Sequence, residues 1–434
     1  MDHGKGEGVM NCSYACQTAD HVLSRRRFLQ GFTAGAVSIA GFSGMTQTAA
    51  AQQLAAQQKQ VVVFYLAGGL SQLESWDPKP GTDTGGPFDK IATSVPGIEI
   101  SELLPYTAQQ MHHLALIRGL NHKEGDHGKG DYIMQTGRRK EPGFDYPYLG
   151  SVFAKQLSPE DSPLPGYIHI GGGGSKQEAA FLGPKYAPLS LADGTPPKNL
   201  VRTGNLSEVA DQKRRELRDR LSQRFAAGRR QAETEAYNSS FEQAARLMAR
   251  KDIFDFSTIS SADTERYGKH EFGKHCQMAL KLVENGVTFV KVTHTNYDTH
   301  SENFNFHIEQ LGEFDRPFAN FISDLDVRGL LKHTLVIVMS EFGRTPRINH
   351  RVGRDHWGNA WSVAVGGCGI KGGMVVGKTN ENGTKVIDRE VDGGHLFHTY
   401  YRAVGLDPTK SFWDNGRPTA KADPKAAAIE EILA

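Results

Sequence analysis

Cysteine is scarce in this chain, four in 434 residues, which excludes a scaffold stapled by several disulfides. Two of the four, Cys12 and Cys16, precede the twin-arginine pattern Ser24-Arg25-Arg26-Arg27-Phe28-Leu29. A mildly apolar Gly/Ala-rich stretch follows over 31–45, and small residues at Ala49 and Ala51 suit cleavage after Ala51. Residues 1–51 therefore read as a signal peptide for twin-arginine (Tat) export, leaving Cys276 and Cys368 in the mature chain. Independent buried thiols are the favoured reading of that pair, with a single disulfide as the alternative.

Long hydrophobic runs are also missing. The apolar stretch of the leader falls short of the roughly 20 residues that span a bilayer, and nothing later resembles a spanning helix. The expectation is a mature protein in the periplasm or outside the cell, with the Tat translocase as its partner during export and no stable membrane insertion. Nor does one sign of charge prevail. Lys and Arg number 50 against 49 Asp and Glu, a formal +1, so no global field draws nucleic acid. The basic cluster over 213–230 is interleaved with Glu216 and Asp219 and reads as a solvated helix face.

What the chain does have is short, apolar, β-branched runs that end in polar loops. Buried parallel strands read this way, and open α/β sheets carry their chemistry beyond the carboxyl ends of such strands. One run, TLVIVM, stops just before Glu341, and the loop behind it delivers Arg344, Asp355 and His356. A second, VTFVKV, empties into Thr293-His294-Thr295-Asn296-Tyr297-Asp298-Thr299-His300. A third, VVVFYL, opens into Ala67-Gly68-Gly69-Leu70-Ser71, whose small residues would let backbone amides approach an anion. Carboxylates and imidazoles at strand ends supply oxygen and nitrogen donors suited to a divalent metal; salt bridges that tie loops down are the competing explanation. His122, Asp126 and His127 crowd one further loop, and clustered imidazoles are poor core filler. Arg344 offers either a fork of donors for a sulfate or phosphate, or a bidentate pair with Asp355.

The succession GGLSQLESWDPKP, HGKGDYIMQTGR, YDTHSENF, MSEFGRTPRIN and GRDHWGNA resembles the Tat-exported family called domain of unknown function 1501. The resemblance covers about 61–407 and extends, through that family, to the alkaline phosphatase and sulfatase superfamily. It implies an α/β three-layer sandwich, with helices on both faces of a mostly parallel sheet. HGKGDYIMQTGR is similar to the superfamily segment in which a nucleophilic Cys or Ser begins a helix, so His127 stands at the nucleophile position. MSEFG is similar to the segment carrying an Asp-His pair after a strand, with Glu341 in the Asp place and Phe342 in the His place. Asp298, His300 and His356 resemble further ligands, while Gly68-Gly69-Leu70-Ser71 occupies the stretch where an Asp is usual.

The combined expectation is one alkaline-phosphatase-like domain over 52–434 with a helical insertion around 205–260. A zinc, manganese or calcium ion would lie among Asp298, His300, Glu341 and His356, serving as Lewis acid and water activator. His127 would act as general base or transient nucleophile, with Ser71 as the fallback and Arg344 beside them. His122, Asp126 and Gly69 would contact the substrate, a small-molecule or glycan ester of phosphate or sulfate. The alternative is an exported, non-catalytic protein that keeps the fold to bind a glycan or an envelope partner.

Overall fold

Among the described residues, eight strands build the central sheet of the computed structural model. They are β1 (Gln60–Leu66), β2 (Leu114–Leu120), β3 (Tyr167–Ile170), β4 (Leu189–Leu191), β5 (Phe289–His294), β6 (Thr334–Met339), β7 (Trp361–Gly367) and β8 (Met374–Val376). Their spatial order is β8-β2-β7-β6-β1-β5-β3-β4. β7 runs antiparallel to both its neighbours, β2 and β6; the other pairings are parallel. The structure describes residues 58–159, 162–192, 207–227, 238, 241–242, 244–255, 259–414 and 417–434. The expected signal peptide, with its twin arginine, cleavage position, Cys12 and Cys16, lies outside them, as does part of the expected insertion.

The sequence of β1, Gln-Val-Val-Val-Phe-Tyr-Leu, is buried at every residue, as β-branched and aromatic residues are in a strand covered on both faces. The chain's longer helices are α1 (His127–Thr136), α2 (Leu149–Leu157), α3 (Glu208–Ala226), α4 (Glu271–Glu284), α5 (Asn303–Val327) and α6 (Gly393–Ala403). Val62, Phe64 and Leu66 face one core, shared with Phe272 and Cys276 of α4 and Phe314, Phe318 and Phe321 of α5. Val61, Val63 and Tyr65 face the other, shared with Met134 of α1, Phe153 of α2 and Phe397 and Tyr400 of α6. This alternation, helix on sheet on helix, is the expected three-layer α/β sandwich. Cys276 and Cys368 are both free and buried, so the two-thiol reading holds. No helix among the described residues is long and apolar enough to cross a membrane.

Candidate functional site

Strands β5, β1 and β6 are adjacent and parallel, so their carboxyl ends share one rim: Leu66 pairs with His294 and Tyr65 with Met339. The loops carrying Gly68, Asp298 and Glu341 therefore meet although they are far apart in sequence. His356-Trp357 pairs antiparallel with Gly343-Arg344, which draws His356 to the same rim. Two glycines permit the close approach. Gly68 has φ +119, and a Cβ there would lie 2.5 Å from the Asp298 amide nitrogen. A Cβ at Gly130 of α1 would lie 2.8 Å from the Glu341 carbonyl oxygen, so only a bare backbone lets the helix lean on this strand tip.

Asp298 is the hub. Its Oδ1 lies 3.1 Å from His356 Nε2 and 3.2 Å from His300 Nε2, and those two nitrogens are 3.0 Å apart. Its Oδ2 lies 3.4 Å from His127 Nε2. Each imidazole is anchored through its other nitrogen: His127 Nδ1 to Glu341 Oε1 at 2.8 Å, His300 Nδ1 to Asp355 Oδ1 at 2.8 Å, and His356 Nδ1 to the Gly125 carbonyl at 2.7 Å. Each ring therefore has an acceptor oxygen at both nitrogens, and in the neutral tautomer that keeps its proton on Nδ1 the ring turns a lone pair at Nε2 toward Asp298. Two lone pairs 3.0 Å apart repel. A proton on one ring, or a shared cation, removes that repulsion. Donors of a tetrahedral zinc site with bonds of about 2.0 to 2.1 Å lie roughly 3.3 Å apart, close to the separations here. Among the described residues, His127, Asp298 and His356 form a group whose donor atoms all lie within 4.8 Å of one another. The donor chemistry thus fits a divalent cation, with the oxygen on each Nδ1 supplying the outer support that orients such ligands.

The electrostatics agree. Burial pushes the Asp298 carboxyl up, but the Arg344 hydrogen bond and charge, then His356 and His300, carry it down to about 2. It is an anion at neutral pH. Burial holds His356 below its ordinary value, which keeps the ring neutral. The hydrogen bond to Glu341 raises His127 despite its partial burial.

The remaining sequence candidates divide differently from expectation. Glu341, expected among the donors around the ion, stands behind His127: its Oε1 also accepts the Gly68 amide at 2.8 Å, and its Oε2 lies 3.0 Å from Ser340 Oγ. Burial raises its carboxyl, yet the bonds from His127, Ser340 and Gly68 bring it below the usual carboxylate range. Arg344 is fully buried and adopts neither of its two expected arrangements. It donates to Gly69 O, Gly68 O, Arg354 O and, at 2.6 Å, Asp298 Oδ1, so its fork is occupied by the chain itself. The amides that promised an anion nest are engaged likewise, Gly68 with Glu341 and both Gly69 and Leu70 with Ser340 Oγ. Ser71 has no solvent exposure. His122 is buried, with Nε2 on the Glu341 carbonyl and Nδ1 accepting from the Glu124 amide. Asp126 caps α1 through the Lys129 amide at 3.0 Å. Sequence reasoning passed over Ser340, a hydroxyl that ties β1 to β6, and the role of Asp355 as the anchor of His300. It also passed over the wall made by Phe342, whose ring centroid lies 4.9 Å from that of His127 and 4.4 Å from that of His356.

A carboxylate ringed by imidazoles at the carboxyl ends of a parallel sheet, inside an α/β sandwich, defines a chain with a candidate cation centre. The chain belongs to the family described as protein of unknown function (DUF1501), whose model matches residues 58–433. A comparison with curated proteins finds no match. Among solved structures it is similar to the PsFucS1 sulfatase from Pseudoalteromonas sp., at 12% identity and a TM-score of 0.37, covering 83% of this chain and 72% of that one. It is similar also to the alkaline phosphatase from the Antarctic bacterium TAB5, at 12% identity and 0.37, covering 81% and 98%. A third is the lipoteichoic acid synthase LtaP from Listeria monocytogenes, at 8% identity and 0.35, covering 84% and 74%.

Proposed function

We propose that this chain is an exported, metal-dependent hydrolase of phosphate or sulfate esters, with Asp298, His300 and His356 holding a divalent cation. The observation that carries the reading is the arrangement of imidazoles, each fixed through Nδ1 and turned by Nε2 toward Asp298. A bound zinc, manganese or calcium ion would supply Lewis acidity to the ester oxygen and lower the pKa of water. The chain's own residues do the rest. Glu341 keeps the Nδ1 proton of His127 in place and makes Nε2 the basic nitrogen, so His127 can accept a proton from the attacking group or attack the ester itself. Its side chain is 43% exposed and stands at the first position of α1, where the helix amino terminus favours an anionic ester. Arg344 holds Asp298 and the Gly68–Gly69 backbone in register, and Phe342 walls the cluster on one side.

A second reading, a non-catalytic exported protein that binds a ligand through the same cation, draws support from one observation: the nearest expected hydroxyl nucleophile, Ser71, is buried. Elemental analysis of the dialysed mature protein tests both. About one divalent ion in wild type and little in His356→Ala supports the cation centre; no uptake of zinc, manganese or calcium by wild type would sink it. Turnover of aryl phosphate or sulfate esters by the loaded protein separates the hydrolase from the binding protein.

A further inference from the structure

Strand β5 carries a lysine that no step above uses. Lys291 pairs with Val63 of β1 and His169 of β3 and is only 6% exposed. Side chains alternate along a strand, so Lys291 and Thr293 project with Phe289 onto the face that β1 gives to Val61, Val63 and Tyr65. The Lys291 Nζ lies 4.4 Å from the centroid of the Tyr65 ring. No hydrogen bond or ion pair joins it to any described residue. Nor is it one of the polar atoms sealed from solvent without a partner, so an outside group can reach it.

A nearly buried ammonium without a counter-charge is unfavourable, and the face of an aromatic ring offsets only part of that penalty. Beside it stand donors. His169 Nε2 lies 2.8 Å from Thr293 Oγ1, and burial, then the Lys291 charge, lower this imidazole to about 3, which keeps it neutral. With its proton on Nε2 the ring donates to Thr293, whose own hydroxyl proton is then free for an outside oxygen. The loop from Gly171 to Gly174 lies against the same pair: a Cβ on Gly172 would stand 2.8 Å from His169 Nε2 and 3.4 Å from Thr293 Oγ1. The Gly172 and Gly173 amides make no hydrogen bond among the described residues. An ammonium, a hydroxyl and two unengaged amides are the donor set of an oxyanion site. Tyr65 ties this group to the cluster, because its hydroxyl is flanked by the Asp131 and Glu341 carboxylates and Glu341 holds His127. Lys291 thus stands one aromatic ring from the Glu341–His127 pair.

We infer that Lys291, Thr293 and the glycine loop form an oxyanion subsite beside the cation centre, taking a second acidic group carried on the body of the substrate. Attack on an ester at the centre rests on the hydrolase reading; anion binding at Lys291 does not. The test follows the lysine side-chain NMR signals of the full-length mature chain as inorganic sulfate, and separately inorganic phosphate, is added. The Lys291 signal is the one missing from Lys291→Arg. A saturating shift of that signal, with a Kd of about 1 to 10 mM and retained in His356→Ala, is the expected result. An unmoved signal in wild type overturns the subsite, and so does a shift that His356→Ala abolishes, since the anion would then sit at the centre alone. Calorimetry with glucose 6-phosphate and glucose 1,6-bisphosphate tests the second acidic group: the bisphosphate should bind about tenfold more tightly, and Lys291→Gln, checked for folding by its Tm, should erase that advantage. Equal affinity for the two sugars in wild type would overturn the second-group assignment. A moving Lys291 signal without ester turnover would support the subsite and count against the hydrolase; turnover with an unmoved signal would do the reverse.

Discussion

Two groups of charged side chains touch at the rim and differ in what each leaves unmatched. In the first, Glu341, Arg344, Ser340 and the amides of Gly68, Gly69 and Leu70 satisfy one another and are mostly buried. Behind it the Arg354–Glu74 pair, 2.8 Å apart with neither side chain exposed, continues the same pattern, with Asn303 donating to the same carboxylate. In the second, Asp298, His127, His300 and His356 are partly exposed and set nitrogen lone pairs against each other and against a carboxylate. Saturated polar groups build a frame; opposed ones mark where chemistry can enter. Both groups are charged and polar and both include carboxylates, so polarity alone does not separate frame from centre.

The comparison breaks most visibly at the frame. Arg354→Met leaves Glu74 buried without its cation and is expected to cost about 3 to 5 kcal/mol, measured by urea denaturation. Replacing Glu74 by Gln in the same chain should recover much of that loss. A single variant as stable as wild type would mean that this pair is not part of a frame. At the centre, His127→Ala is expected to lower turnover of aryl phosphate or sulfate esters by about 10² or more while metal content stays at the wild-type level. Ser71→Ala, on a side chain without exposure, should change turnover little. Reversed effects would exchange the two assignments.

A third experiment supplies a control outside the cluster. Burial, reinforced by the Lys291 charge, depresses the His169 imidazole to about 3. The unfolded chain takes up that proton near pH 6.5 whereas the folded chain does not, so stability is lost as pH falls from about 6.5 toward 3. Between pH 7 and pH 5 the loss should be about 2 kcal/mol, and His169→Gln should flatten the slope in paired denaturation curves. An unchanged slope would mean that other groups set the acid response.

The sheet was legible because apolar runs such as Val-Val-Val-Phe-Tyr-Leu have few homes other than a strand buried on both faces. The meeting of Asp298, His300 and His356 was legible for the same reason, since adjacent parallel strands must end on one side. The division of labour was not. A Glu at a strand tip looks the same in sequence whether it faces a ligand or is held by the Gly68 amide and Ser340, and the Gly68 amide comes from the loop after β1, far away in the chain. Gly68 and Gly69 gave a true sign of close backbone approach, but what approaches is Asp298, Phe342 and Arg344 rather than an anion. His122 stood out as one of a crowd of imidazoles, yet burial and two backbone partners use both its nitrogens.

β7, the strand that opposes its neighbours, has a further consequence. Because it runs the other way, its first residue, Trp361, lies on the rim where β2 and β6 end, paired with Leu120. Only the short segment from Trp357 to Ala360 separates it from His356. His356 is thus leashed at one end to a buried strand and at the other to the Gly343–Arg344 bridge. Its freedom is removed when the chain folds, not when a guest arrives, so binding at this ring should carry little of the ordering entropy that a loose loop would impose.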